Sequence, residues 1–264
     1  DVAGASCPVN EWMYQCLEDA ITLMTAKVVI IENAPNLYTS AGDTIRQKLI
    51  DICVEHGYSG TFYKTNTKYH GIPQNRDRTF FFAWNNVTAP KLPWRRRPSA
   101  SFKEFMSVDL TGQIHQDQLI TPNILEKDGH YNYIKEKYGN PFEAMAETGD
   151  YSCFKFIMYR GEFDSYLEWC KNQNVERWLR IAEHRKSKVD QNKDAWDSSI
   201  RCFHDTCGAI VMRNVTDMMH PTEERSISLR EAMRLMGMPK DFVIPNGVAG
   251  TQKITQNVPT VTAR

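Results

Sequence analysis

The run "VVII" at residues 28–31 is the feature that most constrains this chain. A continuous apolar run of that length is the pattern of a strand covered on both faces. It is bracketed by two helical stripes. Residues 10–24 place Met13, Cys16, Leu17, Ala20, Ile21 and Met24 at three-and-four spacing, which predicts a helix with that side inward. Residues 42–56 repeat the pattern with Ile45, Leu49, Ile52 and Cys53 inward, and Gly57 closes the helix. "TFYKTN" and "RTFFFAW" read as further strands. Strand, helix and strand in alternation predict an α/β domain with a mostly parallel sheet. In such sheets chemistry gathers beyond the carboxyl ends of the strands. Cys7 follows the strand-like "DVAGAS" and Glu32 follows "VVII", so both are expected at one rim.

The pattern changes after Trp84. Residues 85–222 read as irregular, aromatic and charged, with short strands and one helix at 163–184. The apolar side of that helix is Tyr166, Leu167, Cys170, Trp178, Leu179 and Ala182, a core face. This stretch is expected to form an inserted second domain. Regularity returns at "RSISLREAMRLMGMPKDF". There Ser228 and Glu231 form a capping box, Leu229, Ala232, Met233 and Met236 make the buried stripe, and Gly237 with Pro239 ends the helix.

The chain's 264 residues suffice for one large domain or two smaller ones. No apolar run is long enough to cross a membrane, and the first residues lack the order of a signal peptide. Seven cysteines without a CxxC pair argue for reduced thiols in a cytosolic setting, against a disulfide frame or zinc site. Cys202, His204 and Cys207 do not have the spacing of a metal knuckle, so no metal ligands are assigned. Formal net charge is zero, so any case for nucleic acid must be local. The local candidates are "WRRR" at 94–97 and the basic stretch 177–193, each of which could equally be a solvated face.

In "YHGIPQNRDRTFFFAW" (69–84), Gln74, Arg76 and Arg78 occupy alternate positions directly before an aromatic strand. Arginines two apart on extended backbone point the same way. They would offer a forked cationic surface to a phosphate or a polar ring edge, or simply a solvated strand entry.

Four motifs in order decide between these readings: "IIENAP" (30–35), "HGIPQNRDR" (70–78), "RSISLREAMRLMGMP" (225–239) and "ITQNVP" (254–259). Together, with a long variable segment between the second and third, they resemble the later motifs of the C5-cytosine DNA methyltransferases. The resemblance implies an α/β fold with a Rossmann-like S-adenosylmethionine-dependent methyltransferase domain, N-terminally incomplete, carrying an inserted smaller target-recognition domain. It implies a catalytic domain at 1–90, target recognition at 91–245 and a return segment at 246–264.

The resemblance also assigns residues. Cys7 would be the thiolate that adds to carbon 6 of cytosine, Glu32 the carboxyl group at N3, Arg78 the contact to O2, and Arg76 a support of the pocket or a phosphate contact. Gln74 would shape the loop, with Asn33 a structural neighbour of Glu32. Gln256, Asn257 and Val258, with Ser6, would touch the cofactor S-adenosyl-L-methionine. Arg225, Arg230 and Glu231 would be structural. The partner would be double-stranded DNA, and the setting cytoplasmic, in a prokaryote or phage.

The chain departs from the family in three places. It reads Ser6-Cys7-Pro8 where Pro-Cys-Gln is usual. The mobile loop after the cysteine is short, and the glycine-rich cofactor motif is absent. A second chain or a missing N-terminal segment would then complete the cofactor site. The alternatives are a non-catalytic DNA-binding relative, one subunit of a split methyltransferase, or an RNA-directed enzyme of the same fold.

Overall fold

The computed structural model describes residues 7–86, 96–107, 125–149, 151–193, 199–210, 215–239, 242 and 259–263. The chain divides into two compact units: 1–71 with 75–98, and 72–74 with 99–264.

The smaller unit opens with α1 (Pro8–Thr22), β1 (Val28–Asn33), two 3-10 turns over Pro35–Tyr38 and Ser40–Gly42, and α2 (Asp43–Glu55). β2 (Ser59–Asn66) follows, then the short β3 (Gln74–Asn75), of which Gln74 is counted with the larger unit, and β4 (Asp77–Trp84). The sheet order is β1-β4-β2, and both outer strands pair antiparallel with β4. β1 and β2 therefore run parallel to each other, joined by the α2 crossover. The expected strand–helix–strand unit is present, but β4 fills the space between its strands, so the described sheet is not mostly parallel.

The "VVII" strand corrects a second expectation. Its burial alternates, with Val28 and Ile30 exposed at 55% and 59% while Val29 and Ile31 pack into the core. A β-branched run favours extended backbone whether or not both faces are covered. Covering one face is the work of α1 and α2. Tyr14, Leu17 and Ile21 of α1 and Leu49 and Cys53 of α2 meet Phe81 and Ala83 of β4 in one cluster. The inward side of α1 is thus rotated from the predicted stripe: Cys16 and Met24 are exposed. Tyr14, which the apolar count passed over, is buried in that cluster.

The larger unit carries two hydrophobic clusters. Its described elements are α3 (Phe102–Met106), α4 (Gly129–Tyr138), α5 (Pro141–Thr148), α6 (Cys153–Tyr159), α7 (Phe163–Asn172), α8 (Glu176–Asp190), β5 (Cys207–Gly208), α9 (Leu229–Leu235) and α10 (Thr260–Ala263). The segment expected to be irregular is therefore largely helical. The helices are short, and four starts carry a polar cap: Ser101, Asp128, Asn140 and Ser152 accept hydrogen bonds from the first-turn amides of α3, α4, α5 and α6. Capping residues read locally as turns, which hides short helices from a periodicity count. The single helix expected at 163–184 is two helices, broken where Asn174 adopts φ 56°.

At α9 the sequence reading holds in detail. Ser228 caps Glu231, which returns the bond to the Ser228 amide at 2.6 Å, and Leu229, Ala232, Met233 and Met236 are buried. Gly237 ends the helix at φ 68°. Thr260 donates its amide to the Met236 carbonyl at 3.0 Å, so described residues 259–263 are grouped with this unit rather than with the smaller one.

Candidate active site

Strand alternation places the key pair. Along β1, Glu32 lies on the face opposite Val29 and Ile31, away from the helices. It stands opposite Phe80 of β4, so Arg78, two residues before Phe80, is its diagonal neighbour on the same face. The side chains meet: Arg78 Nε lies 2.7 Å from Glu32 Oε1, and Arg78 Nη1 donates to the Asp77 carbonyl at 2.7 Å. This ion pair is only partly shielded, the arginine being 17% and the glutamate 35% exposed.

Arg76 sits deeper, 2% exposed. Burial pushes its guanidinium pKa down to about 10, helped by the like charge of Arg78 and opposed by Glu32. Both arginines therefore lie within electrostatic reach of the acid. The backbone around them is clamped. Thr67 donates its amide to the Arg76 carbonyl at 3.1 Å, and Asn66 Nδ2 donates to Asn75 Oδ1 at 2.7 Å and Asp77 Oδ1 at 2.8 Å. The sequence reading missed Asn66. Its signal is the polar cap it supplies to the 3-10 turn at Thr67–Tyr69.

The loop after Glu32 is held as firmly. Asn33 accepts the Ala34 amide on its own side-chain oxygen at 2.7 Å, and Arg46 of α2 donates to the carbonyls of Leu37 and Thr39. Gly42 lies so close under this loop that a Cβ there would come 2.7 Å from the Leu37 carbonyl carbon. Arg46, also missed, is legible as the i+3 partner of Asp43 in the first turn of α2.

Cys7 is the N-cap of α1, with Pro8 at the first helical position, and is partly exposed. The positive end of a helix suits an anion. The α1 helix runs back along β1, and Asn33 Nδ2 reaches Met13 Sδ at 3.6 Å, so the start of α1 lies toward the Glu32 end of the strand. Among the described residues the Cys7 thiol makes no hydrogen bond or ion pair with Glu32 or Arg78. The structure thus brings Glu32, Arg76 and Arg78 together and places Cys7 at the N-terminal end of α1.

Gln74 is fully buried in the larger unit, where its Nε2 donates to the Leu235 carbonyl at 3.1 Å. Gly71, just before this segment, takes φ 88°, a value side chains other than glycine rarely adopt. Of "WRRR", the described Arg96 stacks 4.5 Å over the Tyr69 ring and Arg97 donates its amide to the Tyr69 carbonyl at 2.8 Å. Arg225 forms a two-pronged pair with Glu231 at 2.8 Å on each arm, and Arg230 Nη1 donates to the Phe242 carbonyl at 2.8 Å.

Ser6, Gln256, Asn257 and Val258, the cofactor candidates, lie outside the described residues. Gly42 and Gly60, beside the sheet, open no cradle for S-adenosylmethionine. A Cβ on Gly60 would meet the side chains of Ile50 and Phe81 at 2.8 and 3.0 Å, so the chain's own atoms already fill that space, as they do at Gly42. The residues expected to hold that group thus lie outside the described set.

A family model described as C-5 cytosine-specific DNA methylase matches residues 14–262. The chain belongs to that family. Glu32, Arg76, Arg78 and 256–258 lie inside the match of this methylase, and Cys7 lies before it. A protein of Oceanobacillus iheyensis described as a type II methyltransferase is 22% identical over 328 aligned positions, covering 96% of this methylase and 70% of that protein. A solved structure described as a DNA modification methyltransferase encoded within an E. coli prophage has a TM-score of 0.53 at 17% identity, covering 99% of this chain and 73% of that one. The structure of the Entamoeba histolytica methyltransferase EhMeth has a TM-score of 0.51 at 10% identity, covering 97% and 67%. These likenesses show the fold: the methylase has the mixed α/β fold of the S-adenosylmethionine-dependent methyltransferases. Family and fold together make it an enzyme. Among the described residues no helix is long and apolar enough to cross a membrane.

Proposed function

We propose that this chain methylates carbon 5 of a cytosine extruded from duplex DNA, through a covalent adduct at Cys7. The observation that carries the reading is the Glu32–Arg78 pair at 2.7 Å, with Arg76 buried beside it. Carbon 5 of cytosine is a poor nucleophile. Addition of the Cys7 thiolate at carbon 6 forms a sulfur–carbon bond and moves the ring's electron pair toward carbon 5 and N3. Glu32, set against N3 and the exocyclic amine, draws electrons away from carbon 6. Arg78 holds O2, and Arg76 fixes the charge balance beneath them. Carbon 5 then loses its proton after substitution, the electron pair re-forms the ring double bond, and the thiolate is expelled. A base can present these edges only outside the duplex stack. The family implies S-adenosylmethionine as the methyl donor, and residues outside the described set, or another chain, would hold it.

Duplex DNA is favoured over RNA as the acceptor by the long segment between the second and third motifs. That segment, essentially the larger unit, would be the target-recognition domain, with lysines and arginines on phosphates and a few side chains on base edges. The test is a covalent trap. With 5-fluorocytosine duplex DNA and S-adenosylmethionine, the unaltered chain should give a protein–DNA adduct stable to denaturation, and Cys7→Ser should give none. Full methyl transfer by Cys7→Ser would overturn the assignment, and methylation of tRNA in preference to duplex DNA would overturn the acceptor.

A further inference from the structure

Helix α8 turns two different sides to its surroundings. Its inward side is fixed. Trp178, Leu179, Ala182 and Val189 pack into the core of the larger unit. The Trp178 ring stacks on Trp169 with centroids 5.4 Å apart, its indole N–H donates to the Lys127 carbonyl at 3.1 Å, and Arg185 Nη1 meets His130 Nε2 at 3.0 Å. The outward side carries Arg177, Arg180, His184 and Lys188. Spacing of three, four and four residues puts these on one line along the helix. Arg177, Arg180 and His184 are exposed, and Lys188 is partly so. Among the described residues none of these four side chains makes a hydrogen bond or an ion pair.

The neighbouring charges are arranged differently. Lys186, which falls off that line, is neutralised twice, by Asp190 at 2.9 Å and by Asp164 at 3.6 Å. The acids of α8, Glu176, Glu183 and Asp190, recur every seven residues along a line of their own. An exposed cation gains little from a surface pair, so one unpaired arginine would mean nothing. Segregation of the two signs is another matter. Like charges kept in one row repel rather than support the helix, and a polyanion laid along the row relieves that repulsion. The acidic line beside it turns such a polyanion toward the basic one.

The composition of the line selects the occupant. Among the described residues no exposed large apolar side chain lies on α8. A protein partner would want an apolar or aromatic centre to its contact, and a bilayer would want an apolar face to insert. Two guanidinium forks, an imidazole and an ammonium suit phosphate oxygens instead. Exposed Lys127, whose carbonyl holds the Trp178 indole, adds a cation beside the start of the line. From Arg177 to Lys188 the line runs about 16 Å, the length of about five phosphates of one strand measured along a duplex. A lone phosphate would engage one of these groups, whereas a strand engages the row.

We propose that α8 is a phosphate-tracking element, which holds one strand of duplex DNA along Arg177, Arg180, His184 and Lys188 and adds affinity without reading sequence. The inference rests on the DNA reading above for the class of nucleic acid. Anisotropy across a salt series, with several labelled duplexes of unrelated sequence and a labelled tRNA, tests it. The triple variant Arg177→Gln, Arg180→Gln, Lys188→Gln should weaken every duplex by the same factor and reduce the slope of log affinity against log salt by about 3. Arg177→Lys with Arg180→Lys, which keeps the charges, should keep the slope. Lys186→Gln, off the line and paired to acids, should keep it too. No duplex binding at low salt, an unchanged slope in the triple variant, a lost slope in the lysine variant, or a drop of about 1 from Lys186→Gln would overturn the proposal. So would a loss confined to one duplex sequence, which would mean base reading, or a loss on tRNA with duplex binding intact, which would mean an RNA surface. Binding requires no methyl transfer, so the expected series in a chain that fails to methylate would sink the cytosine reading alone. Methylation of duplex DNA beside an unchanged slope would sink the α8 proposal alone.

Discussion

Arg78 Nε stands 2.7 Å from Glu32 Oε1, as diagonal neighbours across the β1–β4 pair. The contact joins residues 46 positions apart in sequence through strand register alone. Glu32→Gln keeps the side chain's size and removes its charge. In methyl-transfer assays on duplex DNA, activity should fall by about 10²- to 10⁴-fold. The pair is partly exposed, so the fold should lose no more than about 1 kcal/mol in denaturant titration.

Cys7 caps α1 without a side-chain hydrogen bond and is partly exposed. Cys7→Ala should leave stability within about 0.5 kcal/mol, read by thermal melting, while abolishing the covalent adduct. Loss of the adduct together with a large drop in stability would instead make Cys7 a structural cap.

Gly42 tests the loop that carries Glu32. Its Cβ-free approach to the Leu37 backbone leaves no room for alanine. Gly42→Ala should cost about 1–3 kcal/mol in denaturant unfolding, as overpacking does, and lower methyl transfer by displacing the loop after the strand.

Acid should weaken the larger unit in two stages. Burial lowers the pKa of His220, overriding the attraction of Glu231, from an ordinary value of 6.5. Its neutral form is favoured by the fold, so this stability is complete above about pH 6.5 and is lost as pH falls through the lowered value. Burial would raise Glu231, but Arg225, the Ser228 amide and His220 outweigh it and hold its carboxyl below 4.5. That contribution is present above about pH 4.5 and lost as pH falls through the depressed value. Melting temperature against pH should therefore decline below about pH 6.5 and more steeply below about pH 4.5. Glu231→Ala should cost about 1–3 kcal/mol at neutral pH, because the buried Ser228 amide loses its acceptor and Arg225 keeps only Glu223 of its two carboxylate partners.

Arg177 and Arg180 are exposed on the first turns of α8. If they meet phosphates, Arg177→Ala and Arg180→Ala should each reduce the slope of log affinity against log salt by about 1, measured by anisotropy with duplex DNA. An unchanged slope would return this surface to a merely solvated face.

The sequence by itself determined whatever is decided within a few residues. The capping box at Ser228 and Glu231, the buried stripe of α9, the crossover helix α2 and the strands flanking it all follow from local spacing. They were legible because caps and periodicity act over one or two turns. The ordered motifs were legible for the same reason, as strings. Tertiary structure alone decided what depends on partners distant in the chain. β4 lies between β1 and β2, which makes the described sheet antiparallel and leaves one face of "VVII" exposed. Register against Phe80 puts Arg78 on Glu32, and deep burial separates Arg76 from it. The helices of the larger unit exist only once their apolar sides have packed together. Among the described residues no helix of that unit exceeds 15 residues, a marginal length for a lone helix, so its helicity is a property of the packed core rather than of any one segment.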